Sequence, residues 1–159
     1  MSSKDRILIA GKEILLVEGL RALTTQEIAG RAKVSKKTLY ALFASKDVLL
    51  EAIVVSTMEE ALAPWDAILE RQAPAIDRIL ASLDFLIQFL SQMQDRLIHQ
   101  VESVAPHLWG SIDAVRLQRL RKLEGLMAEA QAEGTVRADL PPEHWSLFLR
   151  GTVQSVLTP

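Results

Sequence analysis

An all-α fold is predicted by three observations. Apolar residues recur at helical spacing through almost the whole chain, β-branched residues never alternate over a useful length, and Asn-Gly or Asp-Gly turns do not occur. Of the 159 residues 49% are apolar, enough to build a core and too many for a disordered chain. The expected architecture is an N-terminal three-helix bundle containing a helix-turn-helix, followed by an antiparallel helical body.

In the first helix Ile7, Ala10, Ile14 and Val17 make one stripe, closed by Gly19 as a left-handed cap. Lys12 and Glu13 interrupt its apolar run, so it reads as an amphipathic helix rather than a signal peptide. Thr24 then caps a short helix, with Glu27 placed to close a capping box and Ile28, Ala29 and Ala32 facing inward. Ala32-Lys33-Val34 is the turn. Ser35 caps a second short helix with Lys36, Lys37, Thr38 and Ala41 outward and Leu39, Leu42 and Phe43 inward. A short helix that is basic outside and apolar inside fits the recognition element of a helix-turn-helix. Ser45, Lys46 and Asp47 begin the next helix.

That helix is long, with Leu50, Ile53, Thr57, Ala61 and Trp65 on one side, and Pro64 predicts a kink or restart near Ala63. From Pro74 to about Gln94 the pattern is apolar nearly all round: Ile76, Ile79, Leu80, Leu83, Ile87 and Leu90 on one side, Phe85, Leu86, Phe89 and Met93 on or near the other. Such a helix is expected to be buried on most sides. Residues 96–111 are less regular, broken by Pro106 and ending near Trp109-Gly110. Asp113 to Glu133 is amphipathic, with Leu117, Leu120, Leu123, Met127 and Ala130 inward, and Gly134 closes it. After a loop, Pro142 and Glu143 open a last helix through Leu157.

The net charge of −2 averages two unlike halves. Residues 1–48 hold nine Lys/Arg against five Asp/Glu, a net of +4, and residues 49–159 hold nine against fifteen, a net of −6. A basic head on an acidic body suits a head that meets phosphate and a body that does not. The absence of Cys rules out a disulfide framework and thiolate chemistry. No apolar run reaches the ~20 residues that span a bilayer. Gly-rich phosphate loops and the GxSxG and HExxH patterns are missing, so no enzyme is expected. His99, Glu102 and His107 lie close in sequence without a three-ligand spacing, so neither metal nor cofactor is expected.

Thr25, Ile28-Ala29, Val34-Ser35, Leu39-Tyr40, Phe43, Lys46 and Leu49 follow one order and spacing, and Gly19 closes the helix before them. On these residues the chain resembles the TetR family of transcriptional repressors, over roughly residues 4–55. Two positions depart from the family pattern. Lys33 stands in the turn where Gly is frequent, and a left-handed Lys there costs ~1–2 kcal/mol. Lys37 also stands where the family often has Gly, and it adds a charge near DNA.

The resemblance implies a cytoplasmic bacterial regulator with a helix-turn-helix DNA-binding domain at 1–46 and a helical effector-binding and dimerisation domain at 47–159. It implies a ligand-responsive repressor that binds an inverted-repeat operator in double-stranded DNA as a homodimer. Thr25, Ser35, Tyr40 and Lys46 are then the phosphate contacts. Thr25 lies at a helix N-terminus, and Lys46 lies in a first turn where a phosphate would relieve its opposition to the helix dipole. Base reading falls to Lys36, Lys37, Thr38 and Ala41. In the body, Trp65, Phe85, Phe89, Met93, Trp109 and Leu123 are candidate walls for a small apolar or amphipathic effector, although for any single one of them plain core packing is the favoured reading. Trp145, Phe148, Leu149, Thr152, Val153 and Val156 are the candidate dimer face. Family members usually pair through two closing helices and only one is visible, which implies a truncated C-terminus or another mode of pairing. The rival reading is a helix-turn-helix regulator controlled by a protein partner or lacking a small-molecule effector.

Overall fold

Ser2 opens the chain's first helix. Its hydroxyl accepts from the Asp5 N–H at 3.1 Å, and the Asp5 carboxylate accepts from the Ser2 N–H at 2.8 Å. The Ser2 backbone bond first, then the hydroxyl bond, holds the Asp5 carboxyl below the usual carboxylate range. The computed structural model describes residues 1–92, 101 and 103–157, with side chains omitted at 92 and 153–157. Helix α1 is Ser3–Glu18, followed by a 3-10 turn at Leu20–Ala22, α2 at Thr25–Ala32, α3 at Lys36–Leu42, α4 at Lys46–Glu70 and α5 at Ala75–Gln92. A second 3-10 turn, Pro106–Leu108, runs directly into α6, Trp109–Ala132, and α7 is Pro142–Leu157. No strand occurs among the described residues.

The chain divides into two compact units. The first is Met1–Ala61 with the described residues of Arg96–Asp113. Its core gathers Ile7, Ile14, Leu23, Ile28, Leu39, Leu49 and Ile53, joined by Val101, Ala105, Leu108 and Ile112. Gly11 is what lets α1 lie so close to α4: a Cβ there would stand 2.3 Å from Ile53 Cδ1 and 2.7 Å from its Cγ1. Lys12 of α1 also pairs with Glu60 of α4. The expected inward stripe of α1 needs one correction. Val17 is 79% exposed and Leu15 is buried in its stead. The buried face is centred on Ile7, Gly11 and Ile14, and Val17 falls at its rim in the last turn.

The second unit is Leu62–Asp95 with Ala114–Pro159. Leu62, Trp65 and Leu69 of α4, Ala75 and Ile79 of α5, and Leu123, Leu126, Met127 and Ala130 of α6 are buried. A charged cluster accompanies them. Asp66 accepts from Arg119 at 2.6 Å and from Lys122 at 3.1 Å, and Lys122 also reaches Glu70 at 2.6 Å. The Lys122 ammonium is held above its usual range, by Glu70 first and then Asp66.

Three further expectations are corrected. Helix α4 passes through Pro64 without restarting. Pro64 is exposed, as is Glu60 one turn earlier, so the carbonyl that loses its partner sits on the wet side of the helix. Helix α5 is not buried on most sides, because Leu80 and Ile87 are 53% and 66% exposed and share a stripe with Asp77, Asp84 and Gln88. Trp109 opens α6 instead of ending a helix, because the Pro106 turn already has the geometry to continue into it.

Candidate nucleic-acid interface

Two short helices and their caps build this surface. Thr24 Oγ1 accepts from the Glu27 N–H at 3.1 Å, starting α2. The Glu27 carboxylate turns forward to Arg31 Nε at 2.9 Å, so it leaves the capping box half-made. Arg31 also reaches Glu18 of α1, and the two carboxylates, Glu27 first, hold its guanidinium firmly protonated. A cation inside the helix-turn-helix is thereby spent on bracing it.

The turn closes in a Schellman arrangement. Val34 N–H donates to Ala29 O at 3.0 Å and Lys33 N–H to Gly30 O at 3.2 Å. Lys33 adopts φ 52°, ψ 49°, the only non-glycine positive φ among the described residues. Lys33 therefore carries the left-handed cost that the sequence raised only as a condition. Lys33→Gly removes its Cβ strain but loosens the unfolded chain, and the net is a gain of about 0.5–1 kcal/mol. A rise in thermal midpoint checks this, and an unchanged or lower midpoint contradicts it.

Ser35 caps α3, accepting from the Thr38 N–H at 3.0 Å, with the Ser35 and Thr38 hydroxyls 2.9 Å apart. Ser35 is exposed, whereas Thr38 is half-buried and shares its hydroxyl with the cap. Leu39 and Phe43 anchor α3 in the core at 0% and 3% exposure. Leu42, expected inward, is 42% exposed, because α3 ends there and Phe43 turns to extended backbone to reach the core. Lys36, Lys37 and Ala41 are exposed, Tyr40 is 49% exposed, and Thr25 is half-buried. Ser45 caps α4 through the Val48 N–H at 3.2 Å, which leaves Lys46 exposed in the first turn.

Lys33, Lys36, Lys37 and Lys46 form no ion pair among the described residues, in contrast to Lys12 and Arg31. The exposed Lys33 was not among the contact residues expected from the sequence. Its place in a turn pointed to backbone geometry, and only the fold leaves its charge unmatched.

The candidates in the body are less united. Trp65, 2% exposed, stacks on Phe85 with ring centroids 6.2 Å apart, and Phe85 stacks on Phe89 at 5.8 Å. Leu123 is buried in the same unit. Trp109 instead packs against the core of the first unit. Met93, His99 and Glu102 lie outside the described residues, as do the side chains of Val153 and Val156. On α7, Phe148 is 69% exposed beside Leu147 at 64%. Trp145 and Leu149 are half-buried, Thr152 is exposed, and Ser146 bonds to Glu124 of α6. One side of α7 thus packs within its own unit while its apolar Phe148 edge faces out. Among the described residues no helix is long and apolar enough to cross a membrane.

A capped, basic α3 carried on α1 and α2 defines the class: a helix-turn-helix protein. Residues 7–53 match the family of bacterial regulatory proteins, tetR family. Over this N-terminal segment the chain is similar to the TetR family of transcriptional regulators. It is similar to the uncharacterized HTH-type transcriptional regulator YvkB of Bacillus subtilis (strain 168), 45% identical over 52 residues, a match spanning 33% of this chain and 28% of that one. Its fold is similar to a TetR/AcrR family regulator from Thermobifida fusca, with TM-score 0.71, 24% identity, and 94% and 82% of the two chains covered. The fold is also similar to FadR of Bacillus subtilis in complex with stearoyl-CoA, with TM-score 0.70, 19% identity, and 98% and 86% covered.

Proposed function

We propose that this chain is a ligand-responsive repressor that binds an inverted-repeat operator as a homodimer in the bacterial cytoplasm. Residues 1–46 act as the DNA-binding domain and residues 47–159 as the effector and dimerisation domain. The observation that carries this reading is the unmatched positive charge of Lys36, Lys37 and Lys46 on capped, exposed first turns of α3 and α4. Phosphate contact is what such lysines do best, since affinity for DNA comes mainly from counterion release. Thr25, Ser35, Tyr40 and Lys46 hold the backbone, while Lys36, Lys37, Thr38 and Ala41 face base edges. Pairing through Phe148 and its neighbours would cover the apolar edge of α7. A fold-mate solved with stearoyl-CoA supports an effector with a long apolar part.

A selection of bound duplexes followed by gel shift tests the reading, and failure to bind any duplex in dilute buffer would end it. Lys46→Ala is expected to weaken binding to all sequences and to reduce the slope of log K against log salt by about one. An unchanged slope removes Lys46 from the phosphate contacts. Lys37→Ala is expected to change the selected motif more than non-specific affinity. The same motif from both proteins would take Lys37 out of base reading.

A further inference from the structure

Five buried side-chain atoms of the second unit have no hydrogen-bond partner among the described residues, Nε1 of Trp145 and Nε of Arg78 and Arg119 together with the two of interest, Trp65 Nε1 and Ser82 Oγ. Trp65 is 2% exposed and Ser82 is 0% exposed. A buried N–H or O–H left unpaired is uncommon in folded proteins and points to a missing acceptor. Trp65 and Ser82 are linked through Phe85. Ser82 lies one turn before Phe85 on α5, and Phe85 is the ring that stacks on Trp65. Phe85 and Phe89 are half-buried, so the aromatic row runs from partial exposure inward to Trp65.

The charge around this row is already matched. Arg119 is held by Asp66, Lys122 by Asp66 and Glu70, and Arg78 by Glu129. The unpartnered Nε of Arg78 and of Arg119 therefore belong to guanidiniums that each have their carboxylate. An anionic ligand would enter with no free cation among these groups, and burying an unpaired charge is costly. A neutral acceptor has no such penalty.

We infer that the second unit binds an uncharged, mainly apolar molecule carrying a single hydrogen-bond acceptor such as a ketone or ester carbonyl. The carbonyl oxygen accepts from Trp65 Nε1 and Ser82 Oγ, and the apolar part lies along Phe85 and Phe89. This rests on the reading of the chain as ligand-responsive and gives the ligand its chemical class.

The test uses the intact chain and two matched probe sets: acetophenone with ethylbenzene and benzoate, and 2-octanone with octanoate. Binding is followed by melting temperature and by the indole N–H resonances of the three tryptophans, Trp65 being assigned through Trp65→Phe. The expected order is ketone first, hydrocarbon second, carboxylate last, with the Trp65 indole resonance moving only for ketones. Ser82→Ala should leave the free protein as stable or more so, and weaken ketone binding roughly fivefold to tenfold. Ketones that fail to bind at millimolar concentration overturn the inference. So do carboxylates that bind best, a ketone preference that survives Ser82→Ala, or a clear loss of stability in free Ser82→Ala. Operator release by octanoate or benzoate alone would overturn this inference and leave the repressor reading intact. Ketone binding without any effect on a bound operator would do the reverse.

Discussion

Asp66→Ala is expected to lower the unfolding free energy by about 3 kcal/mol, because it strands a buried guanidinium. Arg119 is 6% exposed, its Nη2 donates to Asp66 at 2.6 Å, its Nη1 to the Val115 carbonyl at 3.0 Å, and its Nε has no partner among the described residues. Removing Asp66 takes away the only carboxylate on Arg119 among the described residues, whereas Lys122 keeps Glu70. The opposite substitution behaves differently. Arg119→Met removes the buried charge itself, and Asp66 remains bound to Lys122 and partly exposed. That variant should lose about 1 kcal/mol or less, since well-packed apolar replacements of buried ions are often neutral. Urea unfolding of both variants decides the matter. Equal losses would mean that Arg119 is solvated enough to need no partner.

The second large effect falls on Gly11. In Gly11→Ala the new methyl meets Ile53 at 2.3 Å, 2.7 Å and 3.1 Å from its Cδ1, Cγ1 and Cγ2. Rotating Cδ1 away does not help, because the β-branched Cγ1 and Cγ2 are fixed by a stiff χ1. Either α1 or α4 must shift, and Ile53 is 0% exposed in a packed core. A loss of about 2–3 kcal/mol is expected from overpacking of this kind. Ile53→Ala alone costs about 2–5 kcal/mol as a cavity. The double variant should be more stable than the sum of the two predicts by at least about 1 kcal/mol, because each change relieves the other. Strict additivity in that cycle would show that the two residues do not press on one another. Operator binding should fall with folded fraction only, since neither residue reaches the surface that carries Lys36 and Lys46.

Much of the helix-turn-helix was legible because its determinants are local. Thr24, Ser35 and Ser45 each cap through a hydrogen bond three residues ahead, and the sequence shows both ends of every such bond. The last helix was read from Pro142 to Leu157 for the same reason, with Pro at its first position. The turn at Ala32-Lys33-Val34 was legible too, but that Lys33 takes the left-handed conformation was decided by the fold. Helical periodicity, by contrast, says that a stripe is apolar without saying which part of it finds a neighbour. Val17, Leu42, Leu80 and Ile87 carry the right side chains for burial and are exposed because no element of their own unit covers them.

The candidate sites divide the same way. Exposure of Lys36, Lys37 and Lys46 follows from caps and from the anchoring of Leu39 and Phe43, all within a few residues. Trp65 and Phe85 come from different helices, and their stacking could not be read from either one. Trp109 shares their composition but sits in the other unit, so it was grouped with them on chemistry alone. Asp66 and Arg119 are 53 residues apart and look like ordinary surface charges in the sequence.

The sequence alone determined the all-helical class, the caps and turn of the head, and the basic edge of its third helix. Each of these rests on interactions within one helical turn, where chemistry and spacing are both written in the chain. Tertiary structure alone decided which apolar stripes are buried, how Gly11 admits Ile53, and where Arg119 finds its carboxylate. These depend on partners tens of residues away, and only packing in three dimensions selects among the many the chain could offer.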